Sequence, residues 1–181
     1  MRCDKVLQKK NKMKNVLRFI LVSFLFSCHS SQETKFEKSG ISFTCPSGWK
    51  ITDEENLNDA GYYLSCEKEG LNSSGLLTIS WVNDSMALTE MLEIHKAEME
   101  KNIVLKHSDL TFGNGEDAKF KDYNSKSVNF STTLLGLKSE GMIYCFYANG
   151  KTITILRQEA IEDKSDNSEG FKIIENSFLS K

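Results

Sequence analysis

Four of the five cysteines in this 181-residue chain, Cys28, Cys45, Cys66 and Cys145, stand where chemistry can be assigned, and three histidines accompany them. His29 follows Cys28 in a polar run, His107 follows a helical segment, and His95 falls on the apolar stripe of that segment. A nucleophile–base pair needs a hydroxyl or thiol presented to an imidazole, and no GxSxG or SxxK pattern supplies one. HExxH, CxxC and DxDxDG runs are also missing, which speaks against a zinc or calcium site. His95 therefore reads as a half-buried structural residue, and the carboxylates of DEENLND and IEDKSDNSE as solvated loops. Gly113-Asn114-Gly115 reads as a hairpin turn, since no helix carrying a lysine follows it to hold phosphate. The expectation is a chain without catalytic residues, metal or cofactor.

Composition leads to the same class. Hydrophobic residues make up 39% and charged residues 27%, with a single proline, the profile of one globular domain. Charge is unevenly placed: residues 1–27 hold seven basic groups and one acid, leaving a net charge of −8 from Cys28 onward. An acidic domain without a basic stripe disfavours nucleic acid, whose binding rests on neutralised phosphates. Ahead of Cys28 a basic stretch leads into VLRFILVSFLF, whose apolar core from Phe19 covers eight residues. Spanning a bilayer takes about 20, so residues 1–27 read as a secretory signal. Met13 opens a stretch with the length and charge of a complete signal, so Met13 rather than Met1 is expected to be the initiator.

Leu25-Phe26-Ser27-Cys28 resembles the lipobox of bacterial lipoproteins, with Leu at −3, a small residue at −1 and Cys at +1. Phe26 departs from the usual residue at −2. The resemblance implies a diacylglycerol thioether on Cys28, cleavage before it and acylation of the new amino group. Two or three acyl chains together anchor a protein stably where one does not. Residues 28–35 then form a flexible tether and residues 36–181 the domain. No aspartate follows Cys28, so the absence of the enterobacterial inner-membrane retention signal points to the outer membrane. The tether also lacks the acidic cluster of some Bacteroidetes surface lipoproteins, which favours a periplasm-facing domain. That compartment is oxidising, and three cysteines allow three single pairings. Cys45–Cys66 is the preferred pair because both sit on consecutive early strands, with Cys145 left as a buried free thiol; the alternative is that all three are small core residues.

Periodicity orders the domain. ISFTC (Ile41–Cys45) alternates and stops at Pro46, and CPSGWKI turns through Ser47-Gly48. YYLSCEKE and LLTISWV follow as strands, the latter with Leu77, Ile79 and Trp81 on one face. Asp84 or Ser85 then caps a helix whose stripe is Leu88, Met91, Leu92, His95 and Met99. β-structure resumes in the second half, where Asn149-Gly150 marks a two-residue hairpin. Its register places Phe146 opposite Ile153, Tyr144 opposite Ile155 and Cys145 opposite Thr154, with apolar residues on both faces. Phe171, Ile174 and Phe178 mark a C-terminal helix. One antiparallel sheet flanked by a long central helix and a C-terminal helix, an α+β fold, is the economical packing. A cystatin- or NTF2-like domain would place a helix first.

This order resembles the PsbP-like family, which includes the extrinsic photosystem protein and a yeast Ran-binding import factor. The matching stretches are FTCPSGW, the helix after the third strand, the G…AK…DY hairpin and the closing F..IENSF. The resemblance implies a non-enzymatic accessory module that binds an envelope protein partner; a small-ligand carrier or enzyme with a pocket between sheet and helix is the alternative. Asp84-Ser85-Met86 resembles the Bacteroidetes O-glycosylation site, which would place a sugar on Ser85 in competition with the helix cap.

Overall fold

The computed structural model describes residues 32–70, 73–102 and 104–181, which fall in the unit Gln32–Lys181. The signal segment 1–27, Cys28 and the choice between Met1 and Met13 lie outside the described residues.

Strand β1 (Thr34–Lys38) turns through Ser39-Gly40 into β2 (Ile41–Cys45). Both turn residues have positive φ, 49° and 80°, the geometry that matches a two-residue hairpin to the twist of its strands. Thr34 and Lys35, the last residues of the expected tether, are thus already in the sheet. After Pro46 the Trp49 N–H closes a turn onto the Pro46 carbonyl at 3.0 Å. Then come β3 (Trp49–Asn56), β4 (Gly61–Lys68), β5 (Leu76–Val82) and helix α1 (Leu88–Lys101). β6 (Thr111–Phe112), β7 (Glu116–Phe120), β8 (Tyr123–Leu134), β9 (Leu137–Ala148) and β10 (Lys151–Ala160) follow, then helix α2 (Lys164–Ser177) and β11 (Leu179–Ser180).

All pairings are antiparallel. β3-β4-β5-β10-β9-β8 run side by side, with β6 and β7 both on the outer edge of β8. A second sheet, β1-β2-β11, lies apart from this ladder. The α+β class therefore holds, with two sheets where one was expected. One face of the large sheet carries Leu64, Cys66, Leu77, Ile79, Phe146, Ile153 and Ile155. These share a core with Phe43 and Cys45 of β2, Phe171 and Ile174 of α2, and Phe178. Phe178 leaves α2 with extended backbone yet stays fully buried. The other face carries Val128, Phe130, Ile143 and Cys145, and Met91, Leu92 and Met99 of α1 cover them. The Asn149-Gly150 turn and its register are as the sequence predicts, down to Cys145 opposite Thr154.

Four local expectations are corrected. Gly113-Asn114-Gly115 is not a hairpin turn. β6 and β7 each pair with β8, at Phe112↔Phe130 and Glu116↔Ser127, so the glycines link two pieces of one edge strand. The Asn129 side chain lies over Gly113, where a Cβ would overlap its Oδ1. The tight turn is instead Lys121-Asp122, between Phe120 and Tyr123. Neither Asp84 nor Ser85 caps α1, which begins after Ala87 without a side-chain cap. The Thr152 hydroxyl donates to the Asp84 carbonyl at 2.8 Å and accepts the Met86 N–H at 3.0 Å. Those bonds tie the segment to β10 and displace the helix start. DEENLND is not a free loop, because Asp53–Asn56 extends β3 against β4. IEDKSDNSE likewise enters α2 at Lys164. Ser74 donates to Asp163 at 2.6 Å and accepts the Ala160 N–H at 2.8 Å, which fixes that entry.

Candidate functional site

α1 lies over β8 and β9 and leaves the neighbouring β4-β5-β10 part of the same face uncovered. Alternation explains why that part survives exposure to water. Residues facing inward on β5 are Leu77, Ile79 and Trp81, while Thr78 and Ser80 point outward. Across the sheet Ser80 pairs with Tyr63 and with Thr154, and Thr78 with Leu156. A half-open groove of about 770 Å³ results, within the size range of small-molecule sites. Its floor is the hydroxyl row Thr78, Ser80 and Thr154, and its walls include Met91, Ile94, Met99 and Val104. Ile94, Leu57 and Val104 are 37%, 40% and 59% exposed, so both rims offer apolar surface to a visitor. Methionine walls adapt to different shapes.

His95 lines this groove together with the titratable residues Glu55, Glu98, Tyr62 and Tyr63. Burial pulls its pKa below the ordinary 6.5, and the Glu98 carboxylate 3.9 Å away opposes the shift. A neutral imidazole at pH 7 can donate through one ring nitrogen and accept through the other. Among the described residues no hydrogen bond joins His95 to a hydroxyl or thiol; its one charged neighbour is Glu98. A smaller depression of about 530 Å³ lies at the other side of the sheet, beside Arg157, Lys164, Glu140 and Glu159. There Lys164 is ion-paired with Glu140, Arg157 sits 5.9 Å over the Tyr144 ring, and burial raises the Glu159 pKa. Its charges balance in sign.

The remaining sequence-derived positions fall as follows. Cys45 and Cys66 come together, both buried, with sulfurs 3.1 Å apart as thiols. Contact with Cys66 favours the Cys45 thiolate, and the same contact together with burial pushes Cys66 up. Cys145 is on the opposite face, 3.4 Å from the Thr154 hydroxyl, and burial pushes its pKa up to about 11. The sheet thus separates Cys145 from the other two. Ser85 is exposed in the loop before α1, and His107 is exposed in a 3-10 turn. Sequence reasoning missed the hydroxyl floor. Its only trace is the polar half of the alternation in β5 and β10.

No family model and no curated protein matches the chain. Solved structures do. The solution structure of cyanobacterial PsbP (CyanoP) from Synechocystis sp. PCC 6803 aligns with a TM-score of 0.56 at 12% identity, over 82% of this chain and 92% of that one. LpqN of Mycobacterium tuberculosis, described as involved in cell envelope biogenesis, aligns at 0.51 and 14%, over 82% and 90%. A Bacteroides thetaiotaomicron protein aligns at 0.52 and 11%, over 83% of this chain and 49% of its own. At such identities the likeness speaks for architecture alone, and on that ground the chain has a PsbP-like fold.

Proposed function

We propose that this chain is a lipid-anchored envelope protein whose single domain is a non-enzymatic binding module, with the groove beside α1 as its binding face. The observation that carries the reading is the unequal cover of the two sheet faces: one is closed by α2 and the second sheet except for a charged depression beside Arg157 and Glu159, while the other keeps an apolar groove with a hydroxyl floor and exposed rims. An apolar segment of a partner protein suits so open a groove, since rims at Leu57 and Val104 can be covered only by something larger than the groove itself. The anchor rests on the lipobox, and an envelope role agrees with that described for LpqN. Outer-membrane attachment facing the periplasm follows from the tether sequence.

Two covalent features belong to the same reading. In an oxidising compartment Cys45 and Cys66 form a disulfide: the two thiols lose two protons and two electrons to the disulfide of an exchange partner, which leaves as a dithiol. Ser85, exposed and released from capping, is the acceptor for a sugar.

A second reading has its own observation. The neutral His95 and the hydroxyl row give a small amphipathic ligand both an apolar wall and polar partners, so a carrier role competes. A photo-crosslinking residue at Ile94, expressed in the envelope, distinguishes the two. A protein-sized adduct lost on Val104→Glu supports the partner, and a small mass increment supports the carrier. Absence of any adduct in the groove would sink both.

A further inference from the structure

The β8–β9 hairpin reaches past its neighbours. Ser139 is the last β9 residue paired with β10, at Ala160. Beyond it come Thr133↔Lys138, Leu134↔Leu137 and the turn Leu135-Gly136, roughly 10 Å past β10 at about 3.3 Å per residue. On the β8 side the Asp109 N–H still donates to the Thr133 carbonyl at 3.2 Å, so Leu134–Leu137 is the part that stands clear of both. Leu135 is 96% exposed and Leu137 60%. Residues 131–137, STTLLGL, carry no charge. Leu135 adopts φ 51°, a left-handed conformation that a leucine enters at a cost asparagine or glycine avoids. The other end of β9 uses Asn149-Gly150 for the same geometry. Turn chemistry and core packing therefore leave the leucines unexplained.

The ladder registers place this tip relative to the chain's entry. Trp49 pairs with Lys68, Glu67 with Leu76, Leu76 with Gln158 and Ala160 with Ser139. All of these lie at one end of the large sheet. Cys45 stands a four-residue turn before Trp49, touches Cys66, and pairs with Thr34. So the chain enters the domain at the end from which the leucine tip projects. From β4 to β9 is three strand spacings, roughly 15 Å. Only five residues stand between Cys28 and Thr34, six steps with a reach of about 20 Å at full extension.

We infer that the Leu134–Leu137 tip is a second membrane contact, seated in the lipid leaflet that holds the acylated Cys28. This rests on the lipid-anchored reading. A short tether holds this end near the leaflet, and an uncharged, exposed leucine turn is the chemistry a bilayer surface accepts. Lys138 at its base keeps its ammonium in the headgroup layer while its stem follows the leucines. Two contacts on one end would fix the domain's orientation, with the Asn149-Gly150 turn pointing away from the membrane.

The test uses the full lipidated chain in vesicles of phosphatidylethanolamine and phosphatidylglycerol. An environment-sensitive fluorophore is placed at Leu135→Cys or, as control, at Asn149→Cys; Cys45, Cys66 and Cys145 are buried and escape labelling. The expected result is a blue-shifted emission at position 135, quenched several-fold more by acyl-chain nitroxide lipids than at 149. Leu135→Asn, which suits the turn, should keep the melting temperature and weaken vesicle retention of an unacylated Cys28→Ser chain expressed without the signal segment 1–27. Equal, water-like emission at both positions, with the acyl mass present on the Cys28 peptide, overturns the inference and leaves the anchor standing. A shift seen in whole envelopes but not in vesicles overturns it in favour of a protein partner. An unacylated Cys28 peptide overturns the anchored reading and this inference with it.

Discussion

The two faces of the large sheet solve the same problem in different ways. On one, a second sheet and α2 close over an aromatic core and leave only a charged depression beside Arg157 and Glu159 open: Phe146 stacks on Tyr123 at 4.9 Å and meets the Phe178 edge at 5.8 Å. Trp49 lies against Gly170, where any Cβ would collide with the indole. On the other, a single helix of 14 residues covers β8 and β9, and the rest of the face is left to hydroxyls. On the proposed reading, the difference makes the first face a foundation and the second the place to bind. A protein needing only stability has little reason to leave Ile94, Leu57 and Val104 at the rim of a groove.

Ways to break that comparison can be ranked. The largest effect belongs to the sealed face. Phe146→Ala empties a fully buried aromatic site and should cost about 3–5 kcal/mol, read as a drop in denaturant midpoint at constant slope. Next is the sulfur pair, which joins β2 to β4 across the two sheets, 21 residues apart in sequence. If closed, its loss in Cys45→Ser should lower stability by roughly 3 kcal/mol; non-reducing peptide mapping checks the pairing, and a Cys66–Cys145 peptide would refute it. A smaller effect falls on the open face. The folded pKa of His95 is depressed, so the unfolded chain binds the proton more readily. Its contribution is complete above the ordinary value of 6.5 and is lost as pH falls through the lower folded value. His95→Gln should flatten stability against pH in that window, and an unchanged pH slope would show that the groove does not bury the imidazole. Least affected in stability is the rim. Ile94→Ser and Val104→Ser should each change it by no more than about 0.5 kcal/mol, while weakening whatever occupies the groove.

Much of the sealed face was legible in the sequence because local chemistry agreed with the global fold. Ile41–Cys45, Leu76–Val82 and the Asn149-Gly150 register each follow from alternation bounded by turn residues. β1 was not legible, since Phe36 is the one buried residue among its five. The Gly113–Gly115 link looked like a turn because glycines mark turns and edge-strand irregularities alike. The helix cap failed for a tertiary reason: Thr152, 68 residues beyond Asp84, holds the segment that was to cap. The groove was the least readable feature. Its floor is the polar half of ordinary alternation, and only the position of α1 decides whether those hydroxyls face bulk water or a cleft.

The central claim, that the half-covered face binds and the sealed face supports, is tested most directly by paired photo-crosslinking in the envelope. One chain carries the crosslinker at Ile94 in the groove, the other at Leu179, 43% exposed on β11 of the second sheet. The account predicts a defined adduct from Ile94 that Val104→Glu removes, and none from Leu179. Equal adducts from both positions, or an Ile94 adduct indifferent to Val104→Glu, would contradict it.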